Sequence, residues 1–323
     1  MADIARYFRF SGQPAILQLI LTFCIVVVAG TLLFWLFLLT GSLFFGISLA
    51  ELENIMSGTN LTGNTAVLKY AQVSQQAGLF LLPTLISVWM IKKEGDSFLK
   101  LDRKPGMVPI AYVIVIALAF IQVNVYTATL NEKLVMPGSF SGIQEWMRDK
   151  EDIASRLTSI LLGSGSAGGL ILNIFILALM PAICEEFLFR GLVQQLFVRI
   201  FRSGHIGIFV TAIVFSSIHL QFYSFLPRFL LGIVFGYIFL WSGNLWYPVI
   251  AHFLNNLIPV LFTYISSSGK SSLQEGTGMD SAARFPFVAV ILLVVLLYSF
   301  RRWSSESSGS PGIVSTGAAD SET

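Results

Sequence analysis

The sequence specifies an all-α fold, a polytopic membrane helix bundle of about eight transmembrane helices. Hydrophobic residues make up 55% of the 323 and charged residues only 12%, against about 25% charged in ordinary soluble domains. The mean hydropathy is +0.76. Apolar runs long enough to cross a bilayer recur from Leu17 to Phe300, separated by Gly, Ser and charged turns. A formal net charge of +2, with the basic residues beside apolar runs instead of in a patch, points away from nucleic acid and toward a lipid bilayer as the partner.

The first run, Leu17 to about Thr40, follows Arg6 and Arg9 as a signal peptide would, but is too long for one and reads as a retained first span. A polar loop follows from Glu51 to Lys69, then a second span from Val73 to Ile91 that stops at Lys92 and Lys93. Ser97 to Met107 mixes Lys100, Arg103 and Lys104 with apolar residues and is expected at the interface. The third span covers Val108 to Thr127. Leu130 to Leu157 is the most polar internal stretch and reads as amphipathic helix, on the membrane surface or capping the bundle. After the small-residue segment Gly163 to Gly169, a fourth run from Leu170 to Phe201 is longer than a bilayer core needs, so this helix must tilt, break or protrude. Spans at Ile206 to Phe222, Leu226 to Trp241, Trp246 to Ile265 and Phe285 to Phe300 complete the set.

Four regions follow: residues 1–169 as N-terminal spans with interfacial helices, 170–265 as a catalytic core, 266–302 as the last loop and span, and 303–323 as a disordered tail. The Lys and Arg distribution favours a cytoplasmic N-terminus. The two cysteines, Cys24 and Cys184, both lie in apolar segments and indicate no disulfide framework. Cys184 reads as a packing residue instead of a nucleophile.

The stretch Pro181 to Gly191, PAICEEFLFRG, places two carboxylates and a guanidinium inside the fourth span. Each costs roughly 2.5–3.5 kcal/mol at a helix centre on insertion scales, so the cluster demands compensation or function. Glu186 and Arg190 are four apart with the acid first, the favourable order for an ion pair. Glu185 points about 100° away and has no local partner, which suits a general base.

Two of the three histidines, His219 and His252, lie in apolar spans. With a turn at Arg202-Ser203-Gly204, a helical hairpin centred on Ser203 brings residue 221 level with Glu185 and sets His219 within half a turn of the acidic pair. The same construction continued to the seventh span places Asn256 near that level and His252 one turn away on the same face. Hydrolysis needs a base for water, a partner on the same water, and donors for an oxyanion. Glu185 is expected as base, His219 as its partner, His252 and Asn256 as oxyanion stabilisers, and Glu186 with Arg190 as the pair that positions the helix. Alternatively Glu185, His219 and His252 can hold a zinc ion with water in the open position, although no HExxH is present.

Together, EEFLFRG (Glu185 to Gly191), FSSIH (Phe215 to His219) and HFLNN (His252 to Asn256) resemble the EExxxR, FxxxH and HxxxN/B motifs of the CPBP family. That family comprises the type II CAAX prenyl endopeptidases and the bacteriocin-processing and immunity proteins also called Abi. The resemblance covers about Leu170 to Ile265 and implies a glutamate-dependent intramembrane endopeptidase, often labelled a metalloprotease, acting on a membrane-associated peptide or protein in a bacterial cell membrane. Motif spacing selects Asn256, with the adjacent Asn255 as a supporting donor. An ion-coupled transporter would also use buried Glu, His and Arg, but is expected to show matched polar features in two halves, whereas here they are concentrated in the second. A non-proteolytic immunity or scaffold protein is the remaining alternative.

Overall fold

In hydrocarbon an unpaired backbone amide has no water to turn to, so each apolar run closes its hydrogen bonds internally as helix. The computed structural model describes residues 10–56, 65–93, 95–134, 137–163, 166–267 and 286–307. Arg6 and Arg9, part of the polar loop after the first span, and the tail beyond Ser307 lie outside them.

The chain runs α1 (Ala15–Phe45), a short α2 (Leu49–Met56), α3 (Thr65–Ile91), α4 (Met107–Glu132), α5 (Ser141–Leu162), α6 (Ala167–Phe201), α7 (Gly204–Ser217), α8 (Phe225–Ser242), α9 (Trp246–Ser267) and α10 (Pro286–Ser307). Seven of these are long and apolar enough to cross a membrane, and α7 is a shorter apolar helix. At 14 residues, α7 rises about 21 Å, short of a hydrocarbon core about 30 Å thick.

This shortness organises the site. α6 has 35 residues, so it rises about 52 Å, with Glu185 near its midpoint. α7 folds back along α6 from the turn at Arg202 and Ser203, where Arg202 takes φ +50° and the Ser203 hydroxyl caps the Ile206 amide. α7 then stops at the depth of the acidic pair. The sequence expectation of helix through to Phe222 is corrected here. Leu220 has φ +52° and its amide turns back to the Ser217 carbonyl, so the helix ends at Ser217 and His219 sits on the turn beyond it. Irregular backbone at membrane depth is tolerated where it lines a cavity, and His219 and Ser224 of this turn line one.

α5 is one amphipathic helix, and it caps the bundle over that turn. Its Glu151 accepts from the Tyr223 amide at 3.2 Å and from the Ser224 hydroxyl. Trp146 packs on Phe222 and Arg148 lies over the Tyr223 ring. From α4, Asn131 donates to the Phe222 carbonyl at 2.7 Å and accepts from the Leu226 amide at 3.2 Å. At the opposite end, Ser97 to Met107 is loop until α4 begins, pinned to the α8–α9 turn where Leu245 donates to the Lys100 carbonyl and Asn244 to the Arg103 carbonyl.

The core between α4, α8, α9 and α10 is built from Val113, Ile116, Phe120, Phe235, Ile238 and Phe300. α8 meets α7 through Gly232 and Gly236, a GxxxG spacing; a methyl group on Gly232 would lie 3.1 Å from the Ala212 Cα. Such close approach leaves backbone carbonyls within reach of a third helix, and α6 uses them. Arg190 donates to the Gly232 carbonyl at 3.1 Å and Gln194 to the Gly236 carbonyl at 3.1 Å. α10 runs on to Ser307, several residues past Phe300, and its Ser304 hydroxyl donates to the Trp241 carbonyl.

Candidate active site

α6 is not regular around the acidic pair. Wide π-helical turns occupy Ile174–Leu179 and Phe189–Val193, on either side of Met180–Leu188. Pro181 has no amide to complete the α-helical ladder, so a wide turn before it is the local response. α3 repeats the device, with a π-helical Gln76–Leu81 ahead of Pro83. The acidic segment of α6, Met180–Leu188, packs on that wide turn of α3.

Glu186 and Arg190 form the expected pair, with Arg190 Nη1 2.7 Å from Glu186 Oε1 and both side chains fully buried. The same Glu186 oxygen lies 2.8 Å from His252 Nδ1, so this carboxylate joins α6 to α9 as well as bracing its own helix. The Arg190 guanidinium is stacked over the Phe215 ring at 4.7 Å and near the Phe235 ring at 5.4 Å. Phe215 also sets its edge to both imidazoles, with centroids 5.2 Å from His219 and 6.2 Å from His252. The phenylalanine of the FxxxH stretch thus packs against the buried cation and both histidines.

Glu185, 7% exposed, looks the other way. The sequence leaves it without a local partner; the structure supplies one from the N-terminal half, where Gln76 donates to its Oε1 at 3.2 Å. Oε2 is left facing His219 Nε2 and His252 Nε2, each at 3.9 Å. His219 Nδ1 is 2.7 Å from the Phe215 carbonyl, a bond that both caps α7 and fixes the ring. A cavity of about 350 Å³ opens onto Glu185, His219 and His252 and is also lined by Asn256, Asn255, Asn124, Ser224 and Arg228. Asn255 donates to the Asn256 side-chain oxygen at 3.3 Å, which turns the Asn256 amide nitrogen free for another acceptor.

Of the six sequence candidates, the structure brings Glu185, His219, His252 and Asn256 to one cavity and sets Glu186 and Arg190 behind it. Sequence reasoning missed Gln76 and Arg228. Their signal was available, because a Gln pair interrupts the second span at Gln75 and Gln76, and Arg228 stands two residues into the sixth; both are costly groups at membrane depth.

Zinc fits this arrangement poorly. Ligands on one tetrahedral zinc at about 2.0–2.2 Å stand roughly 3.4 Å apart, closer than the 3.9 Å between Glu185 Oε2 and either imidazole nitrogen. Among the described residues, no three His, Cys, Asp or Glu side chains are disposed to hold a metal ion. Two atoms 3.9 Å apart can instead share one water at ordinary hydrogen-bond lengths of about 2.8 Å.

Residues 167–258 match the family described as type II CAAX prenyl endopeptidase Rce1-like. This stretch begins at the start of α6 and includes all three motifs that carried the resemblance. Over 86 residues the chain is 32% identical to an uncharacterized protein, YpbD, of Bacillus subtilis (strain 168). The alignment covers 25% of this chain and 41% of that relative, well under half of either. No solved structure gives a significant match.

Proposed function

We propose that this chain is a multi-pass intramembrane endopeptidase of the CAAX type, cutting a peptide bond near the C-terminus of a membrane-associated, prenylated substrate in a bacterial cell membrane. The observation that carries the reading is the convergence of Glu185 Oε2, His219 Nε2 and His252 Nε2 on one water-sized space in a cavity at membrane depth. The family match over residues 167–258 supports it.

Proton counting assigns the roles. His219 Nδ1 faces a carbonyl and therefore carries hydrogen, which leaves the Nε2 of a neutral ring as an acceptor. Glu185 Oε2 is an acceptor too. If His252 Nε2 were a third, a water with two hydrogens could not serve all of them. The remaining partner, His252 Nε2, must then donate to the water oxygen, and since Nδ1 of that ring already donates to Glu186 Oε1, both of its nitrogens carry hydrogen, balanced by the carboxylates of Glu185 and Glu186. His252 then points a donor at the cavity, as an oxyanion stabiliser must. In the reaction, Glu185 Oε2 takes one proton from the water that His219 orients, and the hydroxide oxygen bonds to the carbonyl carbon. The C=O electron pair moves onto oxygen, held by His252 Nε2–H and the Asn256 amide. Collapse breaks the C–N bond, and the departing amine takes the proton from Glu185. No step passes through a metal.

The transporter alternative asks for a matched polar feature in the N-terminal half. The Gln76 side chain of that half reaches into this same site, which favours a single catalytic centre. The test is hydrolysis of a farnesylated C-a-a-X peptide by the purified chain in vesicles. Glu185→Gln keeps the shape and removes the base, and should lower kcat by about 10²–10⁴-fold with the folded protein recovered in normal yield. Unchanged turnover by Glu185→Gln, or no turnover by the parent chain, would end this reading.

A further inference from the structure

Two arginines border the cavity, and they are in opposite situations. Arg190 is ion-paired with Glu186 and sealed behind the site. Arg228, in the first turn of α8, lines the cavity itself together with Glu185, His252 and Asn256. Its Nη2 donates to Gln221 Oε1, its Nη1 is buried without a hydrogen-bond partner, and it enters no ion pair among the described residues. Glu185 and Glu151 are its electrostatic neighbours, but Glu151 is already engaged by Tyr223 and Ser224. A guanidinium presents a planar fork suited to two oxygens of one anion. Its place in the first turn of a helix adds the positive end of the backbone dipole. An unpaired cation at membrane depth is costly to maintain and is functional by default.

Resting on the endopeptidase reading above, we infer that Arg228 is a specificity-determining residue that binds the free C-terminal carboxylate of the peptide being cut. A C-a-a-X substrate ends three residues after its prenylated cysteine. Even fully extended, four residues span at most about 14 Å, so any bond cut inside that motif keeps the terminal carboxylate within a cavity's length of the attacking water. The cavity, about 350 Å³, falls in the range of about 300–1,000 Å³ typical of small-ligand sites. Glu185 and Arg228 on its lining give the site a polarity, with the base at one point and an anion receptor at another. The substrate's last residues are thereby oriented, and an internal segment of a longer loop lacks the group that Arg228 reads.

The experiment measures binding of two farnesylated C-a-a-X peptides to Glu185→Gln protein in phosphatidylcholine nanodiscs, identical except that one ends in a free carboxylate and the other in an amide. The carboxylate form should bind about 10-fold or more tightly, the size of a hydrogen-bonded charge contact. Arg228→Gln should erase that preference while leaving the affinity for the amide unchanged, and Arg228→Lys should keep part of it. In the Glu185-containing chain the amide should show a raised KM at nearly constant kcat. Equal binding of both peptides, or an Arg228→Gln variant that weakens both alike, overturns the inference. So does loss of the preference when phosphatidylglycerol is added, since a lipid phosphate would then be the occupant. If the parent chain cuts neither peptide but the Arg228-dependent preference persists, the carboxylate site stands and the endopeptidase reading falls.

Discussion

Glu186→Gln tests whether the buried ion pair is a brace alone or also sets His252, the proposed oxyanion donor. Glu186 Oε1 holds Arg190 at 2.7 Å and His252 at 2.8 Å, with both Glu186 and Arg190 at 0% exposure. Neutralising the carboxylate strands the Arg190 charge in the interior, a loss of about 3–5 kcal/mol. Removing both charges in Glu186→Gln/Arg190→Met takes that penalty away, leaving chiefly the lost bond from Arg190 to the Gly232 carbonyl, which keeps its partner within α8, at about 1.5–3 kcal/mol for a hydrogen bond to a charged group. The double variant should therefore be more stable than Glu186→Gln alone, with a coupling of about 2 kcal/mol or more in a double-mutant cycle. Its activity should nonetheless stay low, by about 10²-fold or more, because the carboxylate that accepts from His252 Nδ1–H and balances the ring's second proton is gone; the loss at the aspartate that supports a serine-protease histidine is about 10⁴-fold. Stability is read from reversible unfolding in detergent and activity from initial rates on the C-a-a-X peptide. Additive destabilisation would refute the ion-pair account, and a stable double variant with full kcat would refute the role assigned to Glu186 toward His252.

Two further outcomes probe the parts brought in by other helices. Gln76→Leu removes the donor to Glu185 Oε1, a hydrogen bond to a charged group worth about 1.5–3 kcal/mol, and should lower kcat by about 10- to 100-fold while KM stays near its original value. A larger effect on KM would place Gln76 in substrate binding instead. Glu151→Ala releases the Tyr223 amide and the Ser224 hydroxyl, so the His219 turn should loosen and kcat fall about 10-fold. Glu151→Gln, which still accepts one of those bonds, should recover part of it. Amide hydrogen exchange at residues 218–224 should rise in Glu151→Ala and return in Glu151→Gln, and no change in exchange would remove the clamp from the account.

What the sequence made legible was whatever is expensive in a bilayer. A carboxylate or imidazole in an apolar run stands out because lipid offers it no water, and counting residues along antiparallel helices places such groups in depth. That arithmetic set His219 close to Glu185, and the two are 3.9 Å apart. It could not see that α7 ends at Ser217, since Ile218 and Leu220 extend the apolar pattern through a turn that the positive φ of Leu220 makes. Nor could it give Glu185 its partner, because the Gln76 contact spans 109 residues of chain and follows from how α3 packs on α6, which no local pattern encodes.

The amphipathic helix shows the same limit from the other side. Its charges read as a solvated face, and most are exposed, yet Glu151 is the residue that ties it to the turn carrying His219. An irregular turn at membrane depth has backbone donors that neither lipid nor its own helix can satisfy. Something polar must come to it. Here α4 contributes Asn131 and α5 contributes Glu151, so a surface helix becomes a structural requirement of a site it does not line. The physical reason for the short α7 and for the docked α5 is therefore one and the same. Opening water access to Glu185 within the bilayer leaves exposed backbone ends, and two neighbouring segments close them.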